Sequence, residues 1–266
     1  MTFGFIGTGN MGGALAHGLA ANVAGRDIYL FNPTSAKAEA LAAELGGVVS
    51  SAEDIAGGCD FIFLGMKPHQ VESALAALRP VLAARQEKAV LVSMAASVTL
   101  EELEKWAFEG CPVIRIMPNT ACAVGEGVTL YACNSAVTAA QTESFLTAMA
   151  GCGRTEALAE SLIDAGSAIA GCGGAFACLF MEGLADGGVA CGLSRDKANT
   201  FAAQMLLGAA RLALESGQPF GAMKDAVCSP GGSTIAGVRA LENGAFRAAA
   251  MNAVIAAYEK TTALGK

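Results

Sequence analysis

Apolar and polar positions in the first half of the chain follow two alternating periods. Short continuous apolar runs at Phe3-Gly4-Phe5-Ile6, Ile28-Tyr29-Leu30-Phe31, Phe61-Ile62-Phe63-Leu64, Val90-Leu91-Val92, Val113-Ile114-Arg115-Ile116 and Val128-Thr129-Leu130-Tyr131 predict strands. Between them, helical spacing predicts helices over residues 11–21, 35–45 and 70–82. Strand and helix in such succession imply a parallel sheet with crossover helices. Beyond residue 160 no convincing strand follows, and Ala-, Leu- and Gly-rich stretches at 165–187, 195–217 and 245–262 predict helices. The expectation is an α/β domain over residues 1–160 and an all-α domain over residues 161–266. The late helices carry few charges for their length, so they are expected to be buried on more than one face. A domain of about 100 residues achieves that most easily by dimerising.

Composition narrows the function classes. Apolar residues make up 53% of the 266 positions and charged residues 15%, which excludes a disordered chain. A net charge of −7, no basic run, one Trp and three Tyr argue against a nucleic-acid partner. A helix N-terminus can still bind a small phosphate whatever the global charge. The start lacks the basic region and long apolar core of a secretory signal. Residues 165–181 are uncharged but shorter than the roughly 20 residues of a membrane span, and Asp164 and Glu182 bound them. A buried helix and no membrane partner are expected there. The nine cysteines are scattered, with no Cys-x-x-Cys and no histidine pattern. This usage predicts no metal site and a cytoplasmic location, where buried thiols act as small hydrophobes.

Gly7-Thr8-Gly9-Asn10-Met11-Gly12 matches G-x-G-x-x-G between a predicted strand and a predicted helix. In that reading Gly7 makes the tight turn, Gly9 lets a pyrophosphate approach the backbone, and Gly12 lets the helix lie close to the strand. Strand before and helix after make this a Rossmann-type dinucleotide site, where a plain glycine-rich turn would leave the spacing unexplained. NAD sites place an acid at the end of the second strand. Here that strand runs into Asn32-Pro33-Thr34-Ser35 with Lys37 beyond, so NADP is expected over NAD.

Oxidation of an alcohol would need a base, usually His or Lys. His17 and His69 lack the setting of one, and no Lys or Arg lies between Arg154 and Arg195. That absence points to a substrate bringing its own electrophile, such as a protonated imine. The run Val227-Cys228-Ser229-Pro230-Gly231-Gly232-Ser233-Thr234-Ile235-Ala236 predicts a turn and then a helix from about Ser233 to Glu242. Free N–H groups at its start, with the Ser229, Ser233 and Thr234 hydroxyls, would cradle a carboxylate. The alternative is an ordinary capped helix.

These motifs together resemble the pyrroline-5-carboxylate reductase family over essentially the whole chain. The resemblance is carried by Gly4-Phe5-Ile6-Gly7-x-Gly9-Asn10-Met11, Met66-Lys67-Pro68, Arg115-Ile116-Met117-Pro118-Asn119-Thr120, Leu184-Ala185-Asp186-Gly187-Gly188-Val189 and Gly192-Leu193. The most specific part is Cys228-Ser229-Pro230-Gly231-Gly232-Ser233-Thr234 with Leu241-Glu242. The resemblance implies NADPH-dependent reduction of 1-pyrroline-5-carboxylate to L-proline, with NADH as a lesser donor. It implies a cofactor site of Ile6, Gly7, Thr8, Gly9, Asn10, Met11, Asn32, Ser51, Met66, Lys67, Pro68, Met94, Ala95 and Ala96. The substrate carboxylate would be held by Ser229, Gly231, Gly232, Ser233 and Thr234. Thr234 would hydrogen-bond the ring nitrogen, and Glu160 would lie near the substrate. Family members form dimers through their helical domains, often assembled into decamers. At 170–176 this chain reads Ala-Gly-Cys-Gly-Gly-Ala-Phe where the family usually reads S-G-S-G-P-A-Y, and Ala121 replaces a usual Pro. Reduction of another cyclic imine, a β-hydroxyacid dehydrogenase-like activity and a non-catalytic NADP-binding regulator stay open at this point.

Overall fold

The structure is a computed structural model and describes residues 1–264. It divides into two compact units, Met1–Gly171 with the chain from Tyr258 onward, and Cys172–Ala257.

The first unit is built on an eight-stranded sheet in the order β3-β2-β1-β4-β5-β6-β7-β8. Its strands are β1 (Phe3–Ile6), β2 (Ile28–Phe31), β3 (Val48–Val49), β4 (Phe61–Leu64), β5 (Val90–Ser93), β6 (Val113–Met117), β7 (Gly127–Cys133) and β8 (Gly153–Ala157). Helices α1 (Asn10–Leu19), α2 (Ser35–Leu45), α3 (Ala52–Gly58), α4 (Pro68–Ala83), α5 (Leu100–Ala107), α6 (Ala139–Met149) and α7 (Ile163–Ala170) complete it. Strands β1, β4 and β5 are buried at every position, which is why they read as unbroken apolar runs. Two apolar layers form, one centred on Ile62, Leu75 and Leu91, the other on Phe5, Phe63 and Phe145.

The pairing is parallel except between β6 and β7, which run antiparallel. This corrects the all-parallel expectation. Only residues 118–126 separate the two strands, too few for the crossover that a parallel neighbour requires. The short β3 and the polar β8 carry no apolar run and leave no strand signal in the sequence. Helix α3, α5 and α6 are likewise absent from the sequence reading, although Ser51, Thr99 and Thr138 each cap one with a side-chain oxygen.

The second unit is all helical: α8 (Gly173–Ala190), α9 (Arg195–Ser216), α10 (Phe220–Ala226), α11 (Ser233–Asn243) and most of α12 (Phe246–Leu264). The single helix expected over 165–187 is two, because Gly171 and Cys172 interrupt it. Glycine at 171, 173 and 174 lowers helix propensity there. Within one chain this stretch is buried at Ser167 and Ala168 of α7 and at Ala185 of α8. Among the described residues, one stretch, Glu160–Ala190, is long and apolar enough to cross a membrane by length and composition. Its first turns are tied to the sheet, since Glu160 and Asp164 both pair with Arg115 of β6.

Candidate active site

Strand β1 lies between β2 and β4, so the chain leaves the sheet in opposite directions on its two sides. The crevice at such a switch point is where open α/β sheets bind ligands. Gly7 follows β1 with φ 108°, a conformation that side-chain-bearing residues rarely adopt. A Cβ there would lie 2.6 Å from the Gly65 carbonyl oxygen. A Cβ on Gly12 would lie 2.2 Å from the Gly7 oxygen, so the first turn of α1 sits directly against the strand end. Gly9 differs, because nothing in the protein lies within 4 Å of its missing Cβ. Its openness leaves room for a ligand at the backbone.

Helix α1 begins after Gly9 with no side-chain cap and no acid in its first turn. Thr8 Oγ1 is buried without a partner on the same turn. Uncapped N–H groups and an orphaned hydroxyl suit a phosphate anion. Asn32 braces the turn: its Oδ1 accepts from Thr8 N at 3.1 Å, and its Nδ2 donates to the Thr34 carbonyl at 3.2 Å. Pro33, Thr34, Ser35 and Lys37 are exposed beyond it, with no acid among them.

Beside the turn is a cavity of about 330 Å³, walled by Ile6, Phe31, Pro33, Ala52, Met66 and Leu78 and edged by Glu53, Gln70 and Ser73. Its mainly apolar walls suit a nucleoside. Met66 therefore stands at this cavity. Lys67 N donates to Gln70 Oε1 at 3.2 Å, and Pro68 opens α4. Ser51 caps α3, its Oγ accepting from Asp54 N at 2.9 Å and donating to Asp54 Oδ2 at 2.8 Å. Met94, Ala95 and Ala96 follow β5, where Ala95 N donates to Ser93 Oγ at 3.3 Å. Gly65, Glu53 and Gln70 join the site through the fold alone. Gly65 ends an apolar strand as Gly7 does, and that position was its only signal. His17 reaches Glu44 at 3.2 Å, and His69 is exposed in the first turn of α4.

In the helical unit, Ser229-Pro230-Gly231-Gly232 forms a tight turn. Gly232 N donates to the Ser229 carbonyl at 3.0 Å, and Gly231 has φ 70°. Pro at the second position and a positive-φ glycine at the third are the marks of a type II turn. A Cβ on Gly232 would come within 2.4 Å of Ser229 Oγ, so glycine is what lets that hydroxyl lie over the turn. Helix α11 then starts at Ser233, with Gly232 as its N-cap and no side-chain cap. The first N–H groups of α11 are thus not met by the side-chain cap that the capped-helix alternative would need. Ser229, Gly231, Gly232, Ser233 and Thr234 form one continuous group at this helix start. Glu160 stands in the sheet unit, its Oε1 accepting from Leu100 N at 2.7 Å and pairing with Arg115 Nη1 at 3.3 Å.

The switch-point crevice, the positive-φ Gly7 and the uncapped α1 define a doubly wound dinucleotide-binding protein with a helical extension. Residues 2–97 match a family of NADP oxidoreductases, coenzyme F420-dependent. Residues 160–264 match the pyrroline-5-carboxylate reductase dimerisation family. The chain is 38% identical over 266 residues to the pyrroline-5-carboxylate reductase of Escherichia coli, covering 99% of this chain and 98% of that one. It is 40% identical over 265 residues to pyrroline-5-carboxylate reductase 3 of Danio rerio, covering 98% and 91%. A crystal structure of Plasmodium falciparum pyrroline carboxylate reductase with NADP bound superposes with TM-score 0.87 at 32% identity, covering 100% and 98%. The chain belongs to the pyrroline-5-carboxylate reductase family.

Proposed function

We propose that this protein reduces 1-pyrroline-5-carboxylate to L-proline with NADPH, the last step of proline biosynthesis. The observation that carries the reading is the type II turn at Ser229-Pro230-Gly231-Gly232 opening onto an uncapped α11. It is a carboxylate cradle within the most specific signature of the chain. Named relatives of full length support it, and so does the orphaned Thr8 hydroxyl beside the uncapped α1.

When bound, the reduced nicotinamide supplies the hydride that the imine carbon accepts. The labour divides between residues 1–160, which hold the cofactor, and residues 161–266, which bind substrate and form the dimer. Gly7, Thr8, Gly9, Asn10 and Met11 would hold the pyrophosphate, with Ile6, Asn32, Met66, Lys67 and Pro68 around the adenosine side. Ser51 would reach the same end of the cofactor, and Met94, Ala95 and Ala96 would line its nicotinamide end. The first N–H groups of α11 and the Ser229 hydroxyl hold the substrate carboxylate. Thr234 Oγ1 hydrogen-bonds the ring nitrogen and keeps a proton there, which makes the adjacent carbon electrophilic. Orientation supplies most of the remaining rate, because two fixed partners need no further entropy loss to react. The acid-free loop of Asn32-Pro33-Thr34-Ser35 favours NADPH over NADH, since no carboxylate opposes a 2′-phosphate.

The test is to follow loss of reduced-cofactor absorbance with 1-pyrroline-5-carboxylate, using NADPH and NADH in parallel. Faster oxidation of NADPH is expected, and no oxidation of either overturns the reading. Light scattering tests the assembly, with two chains expected and ten if dimers assemble further. We place the enzyme in the cytoplasm, a reading supported by nine cysteines that are all free.

A further inference from the structure

Arg115 lies in β6 and is only 3% exposed. Its Nη2 is 2.8 Å from Asp164 Oδ1, its Nη1 is 3.3 Å from Glu160 Oε1, and its Nε is buried without a partner. A buried guanidinium is costly unless acceptors are held to it, so the two acids are fixed relative to β6. Glu160 passes that constraint on. The same Oε1 accepts from Leu100 N at 2.7 Å, and Leu100 opens α5.

The segment between β5 and α5 is thereby tied at both ends. Ala95 N is bonded to Ser93 Oγ at 3.3 Å at its start, and Leu100 N to Glu160 at its close. Between them Ser97 is held at φ 62°, and its Oγ donates to the Thr261 carbonyl at 3.3 Å. The left-handed conformation is strained for a residue with a side chain. Strain of this kind persists where surrounding structure over-determines it. The segment leaves the C-terminal end of β5, the next strand beyond β4 in the sheet, and none of its residues lines the adenosine cavity. In this topology a dinucleotide extends across the crevice, so the nicotinamide end falls on the β5 side.

We propose that Arg115, acting through Glu160, is a positioning residue that fixes the segment of residues 94–97 against the nicotinamide. The inference rests on the dinucleotide reading above and adds to it a task for two residues that need not touch the reacting atoms. Glu160 serves the reaction through the Leu100 amide, its Oε1 engaged by both Leu100 N and Arg115 Nη1.

Glu160→Ala removes the acceptor of Leu100 N–H and one of the two acceptors of Arg115. Its kcat is expected to fall about tenfold or more, since misplacing a reacting group by about 1 Å costs up to roughly 100-fold. The Kd of NADPH is expected to stay within about twofold, because the turn and adenosine cavity are untouched. Glu160→Gln keeps an oxygen for Leu100 N–H and is expected to recover at least about a third of the kcat. Emission of the reduced nicotinamide in the binary complex, without any imine, is expected to change in Glu160→Ala and not in Glu160→Gln. Should Glu160→Ala not fold, Arg115→Lys, which offers one ammonium to two carboxylates, is expected to change that emission in the same way.

Unchanged kcat and emission in folded Glu160→Ala overturn the proposal. So does a loss of NADPH affinity in step with kcat, which is the mark of a merely structural role. A wild-type protein that binds NADPH but reduces no imine refutes the substrate reading alone, and the emission comparison still decides the positioning role.

Discussion

Phe5, Phe63, Phe145 and Leu91 are fully buried in the sheet unit, whereas in the helical unit only Ala185, Ala198 and Ala202 are buried. Phe220 is 80% exposed there, and Leu179 and Leu214 are each 71% exposed. The cysteines divide the same way. Cys59, Cys111, Cys122 and Cys152 of the sheet unit are buried, while Cys178 and Cys191 of the helical unit are exposed. A sheet covered on both faces closes its own core. The helices carry an apolar load that one copy of them does not cover, and exposed apolar surface on this scale marks an association surface. The difference teaches that stability of the first unit is a property of one chain, and stability of the second is a property of an assembly.

Four outcomes would break or sharpen that contrast. The largest effect is expected from Phe201→Glu combined with Leu212→Glu, both exposed on α9. Charges on that surface should convert the assembly to monomers by light scattering and lower turnover on the order of 100-fold or more. Phe63→Ala should instead cost about 3–5 kcal/mol in denaturant unfolding, and by a local loss independent of protein concentration. If both variants depend on concentration alike, the contrast fails.

Next, Thr234→Ala should lower kcat about 100-fold while the KM for NADPH changes little, as expected for a group acting only on the substrate. An unchanged rate removes Thr234 from the mechanism. Smaller effects come from the turn. Gly12→Ala and Gly9→Ala should each raise the KM for NADPH roughly tenfold, Gly12→Ala by displacing the backbone and Gly9→Ala by obstructing the ligand. Only Gly12→Ala should also lower Tm, since its Cβ would meet the Gly7 oxygen at 2.2 Å and that of Gly9 meets nothing.

The smallest effect concerns thiol labelling. Burial raises the Cys59 thiol to about 11 and the Cys111 thiol to about 12, so both should stay unlabelled while the native fold holds. Cys178 and Cys191 should label readily in the monomeric variant and more slowly in the assembly. Equal rates in both forms would place these two thiols away from the interface.

Much of the sheet was legible because its inner strands are buried on both faces, and Phe61–Leu64 needs no partner in view to be read as a strand. Edge elements were not. Val48–Val49 is two residues long, and Gly153–Ala157 carries Arg154 and Glu156 on a strand with one free side. The direction of β7 was hidden because a strand's own pattern is the same in either orientation. The break at Gly171 leaves no mark in the pattern, because apolar spacing runs through it. At the candidate site, Gly7, Gly9 and Gly12 announce themselves by spacing. Gly65 does not, because the clash it avoids is with a residue 58 positions earlier in the chain, its would-be Cβ 2.3 Å from the Gly7 oxygen. Arg115 was visible only as part of a motif, since nothing local says which acids it meets.

What the sequence by itself determined is therefore local or periodic: buried strands, helical stretches, the glycine spacing, the acid-free end of β2 and the turn before α11. These follow from backbone sterics and from the periods at which side chains return to one face. Tertiary structure alone decided which glycines face protein and which face open space, and the antiparallel turn at β7. It also decided that Glu160 and Asp164 close on Arg115 from 45 and 49 residues away. Those outcomes depend on distances between segments remote in the chain, which no local pattern encodes.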